Sequence, residues 1–420
     1  MSVSELQRFR DRQLRRVVSH AYRKVPYYAA LLNEAGLTPT DIQSVDDLCR
    51  IPISTKRDLQ RVRAEQLVSR DVNLSRLVQR KTSGSTGLPF TIRRTWFEER
   101  LLGAIRWRVL RDLGMRVTDR HAEIEELQPP DGNDNQLLHQ SLQSVGFFRQ
   151  IRIHALDEPD AIIEKLLEFG PNVITGYSGV LARVAKSMTE KHRAKLRPRF
   201  IAGHSDLLTP AMCEQISEGF GAPFYEIYDS NEFNVIAWQC PQTNELHTCD
   251  DTTIVEVANA DSTSDVNEGE VVLTALHSFA MPFIRFALGD IITKGSEACR
   301  CGHPFGTIRA VRGRMFDYFP LPDGRVIHPY ELIAILTEHG QWTREYRIVQ
   351  RHTDDVLVQV VPGRSPRSAE VSELRHEMSK YLGERVNVTL DIVSELPLEQ
   401  TGKFRVCRSL VQSEYDGVAD

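Results

Sequence analysis

From Lys81 to Pro89 the chain reads Lys-Thr-Ser-Gly-Ser-Thr-Gly-Leu-Pro. Thr82, Ser83, Gly84, Ser85, Thr86 and Gly87 thus set four hydroxyls and two glycines side by side. Glycine lets the backbone approach an anion closely, and hydroxyls and main-chain N–H groups can then donate together to phosphate oxygens. Residues 74–80 and 90–94 are patterned as strands, so the segment is a turn between strands. A Walker loop would instead need Gly-Lys-Ser/Thr opening a helix. A solvated Ser/Gly loop has the same composition. A phosphate site therefore needs partners elsewhere in the chain.

A second group is rich in metal-ligating side chains. Cys240 and His247 lie close together, and Cys299-x-Cys301 follows about fifty residues on. Thiolates and an imidazole from two loops can close a tetrahedral zinc site, structural rather than catalytic because four protein ligands leave no open position. Cys249 or His303 could stand in for one of the four. The competing reading is four unrelated reduced residues. Cys49, Cys213 and Cys407 are expected to be small buried hydrophobes.

The elements that must carry these residues come from a chain of ordinary globular composition, 420 residues with 41% hydrophobic and 26% charged side chains. That length suits two or three domains. The net charge of −5 gives no electrostatic reason to expect nucleic acid or an anionic membrane as partner. Seven cysteines, an odd number, argue against a disulfide framework. The charged N-terminal stretch lacks a secretory apolar core, and no apolar run approaches the ~20 residues of a membrane span. The expectation is a cytoplasmic protein.

Helical spacing covers residues 4–35, and Ser44 is placed to cap a short helix. A longer helix is expected over residues 96–113, closed at Gly114. From about residue 120 to 260 strand and helix patterns alternate, which implies crossovers and a largely parallel α/β sheet. Tyr177, His204, Ser205 and Tyr228 fall at the ends of such strands, where open sheets bind ligands. They are candidates for one shared crevice. Residues 283–286 read as a strand, with Asp290 in a turn after Gly289. From about residue 318 the pattern becomes that of a compact α+β unit.

Four further stretches stand in order behind the glycine-rich loop: Tyr225-Glu-Ile-Tyr-Asp-Ser-Asn-Glu232, Arg285-Phe-Ala-Leu-Gly-Asp290, Gly313-Arg-Met-Phe-Asp317 and Leu396-Pro-Leu-Glu-Gln-Thr-Gly-Lys403. In order and spacing the set resembles the adenylate-forming superfamily of acyl-CoA synthetases, and more narrowly its phenylacetate–CoA ligase branch. The resemblance implies a large N-terminal domain (1–314), a hinge (315–317, with Asp317 at the hinge position) and a small mobile C-terminal domain (318–420). It implies an ATP-dependent ligase that activates a carboxylic acid, aromatic by family, as an adenylate and passes it to CoA.

By the same resemblance Thr82 to Gly87 hold the leaving phosphates and Glu232 holds Mg²⁺. Tyr228 lies against adenine, and Asp290 and Arg314 hold the ribose. Ser205 and Asp229 border the nucleotide. Lys403 is the catalytic lysine, its charge meeting both the carboxylate and the α-phosphate. The acid pocket is expected among Tyr177, His204, Tyr225, Asn234 and Ile236. The branch includes members with a Cys/His zinc site in corresponding positions.

Three positions depart from the pattern. Asp229 stands where the motif has glycine, Asn231 where a hydroxyl residue contacts phosphate, and Ser205 where a glutamate follows Gly-His. The segment 317–329 resembles a divergent subgroup linked to biosynthetic and capsule-type pathways, which leaves an amine or hydroxyl open as acceptor in place of CoA. A degenerate nucleotide-binding protein without turnover is the non-enzymatic alternative. Oligomeric state, monomer or homodimer, is open.

Overall fold

The computed structural model describes residues 1–81, 90–125, 146–205, 208–258, 268–296, 299–314, 319–327, 329–397 and 406–411. They group into two compact units. Met1–Arg116 and Tyr225–Val311 make the first; the described parts of 117–224 and 312–420 make the second.

The first unit begins with the helix Val3–Lys24. Ser2 Oγ accepts from the Glu5 N–H at 3.3 Å while Glu5 Oε2 accepts from the Ser2 N–H at 2.7 Å, satisfying two otherwise orphaned donors. The helical spacing of residues 4–35 is interrupted at Pro26, which cannot continue a helix but starts one well, and Pro26–Glu34 follows as a second helix. Leu14, Val17, Val18 and Ala21 line one face and bury against Tyr28, Leu32, Ile254, Leu276 and Ile284.

The strands of this unit lie in the order Thr253–Ala258, Glu268–Ala275, Phe286–Lys294, Thr307–Arg314, Leu246–Thr248, Asn234–Gln239, Phe224–Ser230. The first three pair antiparallel, as do the last three and the pair Leu246–Thr248 with Thr307–Arg314. The strand expected over 283–286 runs instead as Phe286–Lys294, so Asp290 stands within a strand and not in a turn. Gly289 explains the difference: a glycine before an aspartate looks like a turn in the sequence, yet it lies within the strand with φ +86°. Asn234–Gln239 was not expected as a strand. Val235, Ile236, Ala237 and Trp238 are all buried, so burial on both faces erased the alternation that marks a strand.

In the second unit Phe200–His204, Val173–Tyr177, Arg120–Glu125 and Arg149–His154 form a sheet in that order, and every pair is parallel. The helices Pro159–Phe169, Ser178–Ser187 and Pro210–Phe220 supply the crossovers that parallel pairing needs. This is the α/β pattern expected of the sequence.

The C-terminal part of this unit has a sheet in the order Asn387–Ile392, Asp355–Pro362, Thr343–His352, Cys407–Ser409. Its central pair is antiparallel and its outer pairs parallel. Helices Pro329–Glu338 and Ser368–Leu382 accompany it. Its core joins that of the parallel sheet in one hydrophobic cluster. Lys186 Nζ donates to Glu345 Oε1 at 3.1 Å between the two parts. Among the described residues no helix is long and apolar enough to cross a membrane.

Candidate functional site

Strand Phe224–Ser230 carries Tyr228, and strand Phe286–Lys294 carries Asp290. Both residues are 7% exposed, and Tyr228 Oη donates to Asp290 Oδ2 at 2.7 Å across 62 residues of sequence. A buried aromatic ring beside a buried carboxylate offers a flat apolar face and a strong hydrogen-bond acceptor within one site.

Glu270, on the adjacent strand Glu268–Ala275, has its carboxyl pushed up to about 7, first by burial and then by the charge of Asp290. The ladder slips between Glu270 and Val272, an irregularity of the kind that re-aims side chains near sites.

Glu232 is buried, and the turn that holds it is tied down from below. Arg94, at the end of strand Thr91–Arg94, donates through Nη2 to the Asn231 carbonyl and to the Glu232 carbonyl, the latter at 2.9 Å. Its Nη1 reaches Glu99 Oε2 at 3.3 Å. Sequence reasoning missed Arg94. The alternation of Thr91-Ile-Arg-Arg placed Ile92 and Arg94 on one buried face, and a buried arginine there needed acceptors.

Asp229 is paired with Arg106 of the helix Trp96–Asp112 at 3.2 Å, both side chains largely buried. An acidic residue in place of glycine thus comes with a cation placed to meet it.

Within the second unit, Tyr177 and His204 lie at adjacent strand ends in register, with ring centroids 5.5 Å apart in an edge-to-face arrangement. His204 Nδ1 and Ser205 Oγ are 3.0 Å apart, and Ser205 turns the chain with φ +71°. Tyr225 and Asn234 belong to the first unit; Asn234 has φ +59° and its Oδ1 accepts from the Val235 N–H at 2.8 Å. Ile236 is fully enclosed in the core with Phe233 and Leu246. Thr82 to Gly87, Asp317 and Lys403 lie outside the described residues, and of Arg314 only the main chain is described, at the end of its strand.

The cysteine and histidine residues singled out by spacing do come together. The ligand atoms of Cys240, His247, Cys299 and Cys301 all lie within 4.8 Å of one another. Cys240 and Cys299 sulfurs are 3.8 Å apart, and Cys301 Sγ is 3.3 Å from His247 Nε2. A tetrahedron with zinc–sulfur bonds of about 2.3 Å has edges of about 3.8 Å, so the donor set fits that ion. Burial and the neighbouring His303 push His247 down to about 4, which keeps its imidazole in the neutral form a ligand requires.

The two proposed substitutes stand aside. Cys249 is buried with its sulfur 3.5 Å from Arg108 Nη2. His303 stacks on His247 with ring centroids 4.7 Å apart and packs edge-on against Phe305.

Comparison with known proteins extends these observations. Residues 320–409 match the CapK C-terminal domain family. The phenylacetate–coenzyme A ligase of Thermus thermophilus is 25% identical to the chain, over 96% of each. Protein CapK of Staphylococcus aureus is 22% identical over 58% of this chain and 54% of its own length. Among solved structures, 2-hydroxyisobutyryl-CoA ligase in its postadenylation state aligns with a TM-score of 0.79 at 20% identity, covering 99% of this chain and 91% of that one. The chain resembles phenylacetate–CoA ligases along its length and has the fold of the adenylate-forming CoA ligases.

Proposed function

We propose that the protein is an ATP-dependent, AMP-forming ligase that activates a carboxylic acid of the aromatic class and transfers the acyl group to CoA. The reading is carried by the buried Tyr228–Asp290 pair. It joins a stacking surface for adenine to an acceptor for ribose hydroxyls, on strands whose motifs match the adenylate-forming pattern. Similarity to a phenylacetate–CoA ligase over 96% of both chains supports it.

In the first half-reaction a carboxylate oxygen attacks the α-phosphorus of ATP and pyrophosphate leaves. Two anions must meet, so the protein contributes position and compensating charge rather than a covalent partner. Thr82 to Gly87 are assigned to the leaving phosphates, Asp290 and Arg314 to the ribose, and Glu232 to Mg²⁺, a hard cation that prefers carboxylate oxygen. Ser205 and Asp229 are assigned positions beside the nucleotide, the latter through its pairing with Arg106. Tyr177 and His204 are assigned to the acid.

Lys403 supplies positive charge where negative charge accumulates. In the second half-reaction the CoA thiolate attacks the acyl carbon and AMP departs. Lys403 must withdraw for that step, and Asp317 is assigned the pivot of a domain rotation. Zinc held by Cys240, His247, Cys299 and Cys301 would tie two loops together and take no part in the chemistry.

The test is acid-dependent exchange of pyrophosphate into ATP without CoA, followed by mass analysis of the product with CoA present. Lys403→Ala should abolish exchange while ATP still binds; undiminished exchange would remove the lysine from its role. Absence of exchange with every acid of a broad panel would leave the degenerate nucleotide-binding alternative. A second reading shares the first step and differs in the acceptor. The resemblance of segment 317–329 to a divergent biosynthetic subgroup leaves an amine or hydroxyl open there, and a product mass indifferent to CoA would select it.

A further inference from the structure

The first helix carries a charge pattern that the proposed ligase chemistry does not use. Between Val3 and Lys24 stand Arg8, Arg10, Arg12, Arg15, Arg16, Arg23 and Lys24, against only Glu5 and Asp11. This is strongly basic within a chain whose net charge is −5. Arg12, Arg15, Arg16, Ser19 and Arg23 recur at the spacing of one helical face, opposite the face that packs into the core. They line an open cavity of about 610 Å³ together with His20, Lys24 and Phe279. That volume lies within the range of small-molecule sites.

The arginines are held without being neutralised. Arg15 Nη1 donates to the Gln43 carbonyl at 2.6 Å and Arg16 Nη1 to Gln13 Oε1 at 2.9 Å. Arg23 donates to Ser19 Oγ. The Arg12 and Arg16 guanidinium carbons lie 5.6 and 5.8 Å from the ring centroids of Phe9 and Phe279. Among the described residues none of Arg12, Arg15, Arg16 and Arg23 has a carboxylate partner; Lys24 alone of the lining pairs with one, Asp71 at 3.1 Å. Neutral acceptors and ring faces fix a guanidinium in place and leave its charge to be met by something else.

Phe279, the one lining residue off the helix, is equally fixed. Glu98, itself buried, accepts from the Phe279 and Ala280 N–H groups at 2.6 and 2.9 Å. His20 Nε2 is 2.9 Å from the Phe279 carbonyl.

We propose that this cavity binds a small soluble molecule carrying several phosphate groups, separate from the nucleotide of the ligase reaction. Guanidinium forks match phosphate oxygens, and several set along one open face select for clustered rather than single charge. Phe279 is the one large apolar residue of the lining, and its ring is held against His20 and Arg16, so this face offers little to insert into a membrane and favours a small polyanion.

The test titrates the full-length protein with sodium tripolyphosphate by calorimetry, alone and with excess adenylyl imidodiphosphate to fill the ATP site. Binding should persist with the analogue present, weaken as salt is raised, and fall roughly tenfold or more in Arg12→Gln/Arg16→Gln. That variant should keep wild-type pyrophosphate exchange, since neither residue belongs to the ligase machinery, and Arg12→Lys/Arg16→Lys should bind more tightly than the Gln variant but more weakly than the wild type. No binding once the analogue is present would overturn the proposal, as would an affinity unchanged in the Gln variant. Co-sedimentation with phosphatidylglycerol vesicles, without any tripolyphosphate binding, would overturn it in favour of a surface contact.

Discussion

At the scale of the residue, the least anticipated contributor to the proposed site is Arg94. Its guanidinium spans three partners: the carbonyls of Asn231 and Glu232 and the carboxylate of Glu99. Arg94 does not face the reacting groups in this account; it holds the turn from which Glu232 projects. Arg94→Met keeps much of the volume, yet leaves two carbonyls and a carboxylate without their donor, which costs about 3 kcal/mol of stability.

The more telling outcome is kinetic. Adenylation should slow by about tenfold or more, with the Mg²⁺ requirement shifted to higher concentration, because a loosened turn misplaces Glu232 by a fraction of an ångström. Arg94→Lys should restore stability in part but not the Mg²⁺ dependence, since one ammonium cannot reproduce the fork. Exchange kinetics across a Mg²⁺ series check this, and an unchanged Mg²⁺ dependence in Arg94→Met would detach Arg94 from Glu232.

At the scale of the element, two features constrain the backbone more tightly than sequence pattern suggests. Gly203, near the end of a buried strand, has no room for a side chain. A Cβ there would lie 2.6 Å from the Phe224 ring and 2.6 Å from Ser178 Oγ. Gly203→Ala should therefore destabilise by about 1–3 kcal/mol, measured by chemical denaturation, since Phe224 belongs to a packed core and cannot yield freely.

The second feature is the Cys/His cluster, which joins the chain near residue 240 to that near residue 300. Zinc there should be found at one ion per chain. Stripping it with a chelator, or changing Cys299→Ser, should lower the melting temperature by several degrees and leave the sign of acid selectivity unchanged. Metal analysis and melting curves decide both points.

These elements also show where the sequence was readable. Helices Pro159–Phe169, Pro210–Phe220 and Pro329–Glu338 have boundaries that the sequence makes legible, because Pro opens each, and Gly170 and Gly221 close the first two in left-handed conformation. The parallel strands with their crossovers were readable as α/β alternation. The cluster of Cys240, His247, Cys299 and Cys301 was readable because the Cys-x-Cys pair is rare by accident. Strands Asn234–Gln239 and Leu246–Thr248 were not, since their burial on both faces leaves no period to detect. The pairings Arg94 with Glu232 and Arg106 with Asp229 were also out of reach. Each depends on contacts across more than 100 residues, 138 and 123 respectively, which no local pattern encodes.

At the scale of the whole molecule, the site's electrostatics should appear in global stability. Burial pushes the Glu226 carboxyl up to about 7. Burial and the charge of Asp290 do the same for Glu270. In the unfolded chain both titrate near 4.3. Between about pH 4.3 and 7 the folded protein therefore binds more protons than the unfolded one, and the linkage relation makes stability fall as pH rises through that window. Their contribution is least favourable above pH 8, where both carboxylates must be charged inside the fold.

Glu270→Gln mimics the protonated side chain, so its advantage over the wild type should be smallest near pH 5 and grow toward pH 8, to at most about 4 kcal/mol before solvent screening is discounted. Asp290→Asn removes the second cause of the shift and should move the window for Glu270 downward. Denaturation at pH 5, 6.5 and 8 measures all three proteins. A wild-type minus Glu270→Gln difference that stays constant across this range would show that Glu270 is ionised throughout and that Asp290 does not act on it. If the difference grows with pH and Asp290→Asn reduces that growth, the carboxylate proposed for the ribose is coupled to the stability of the fold. Nucleotide binding, proposed to bring hydrogen-bond donors to Asp290, should then strengthen the fold most on the alkaline side.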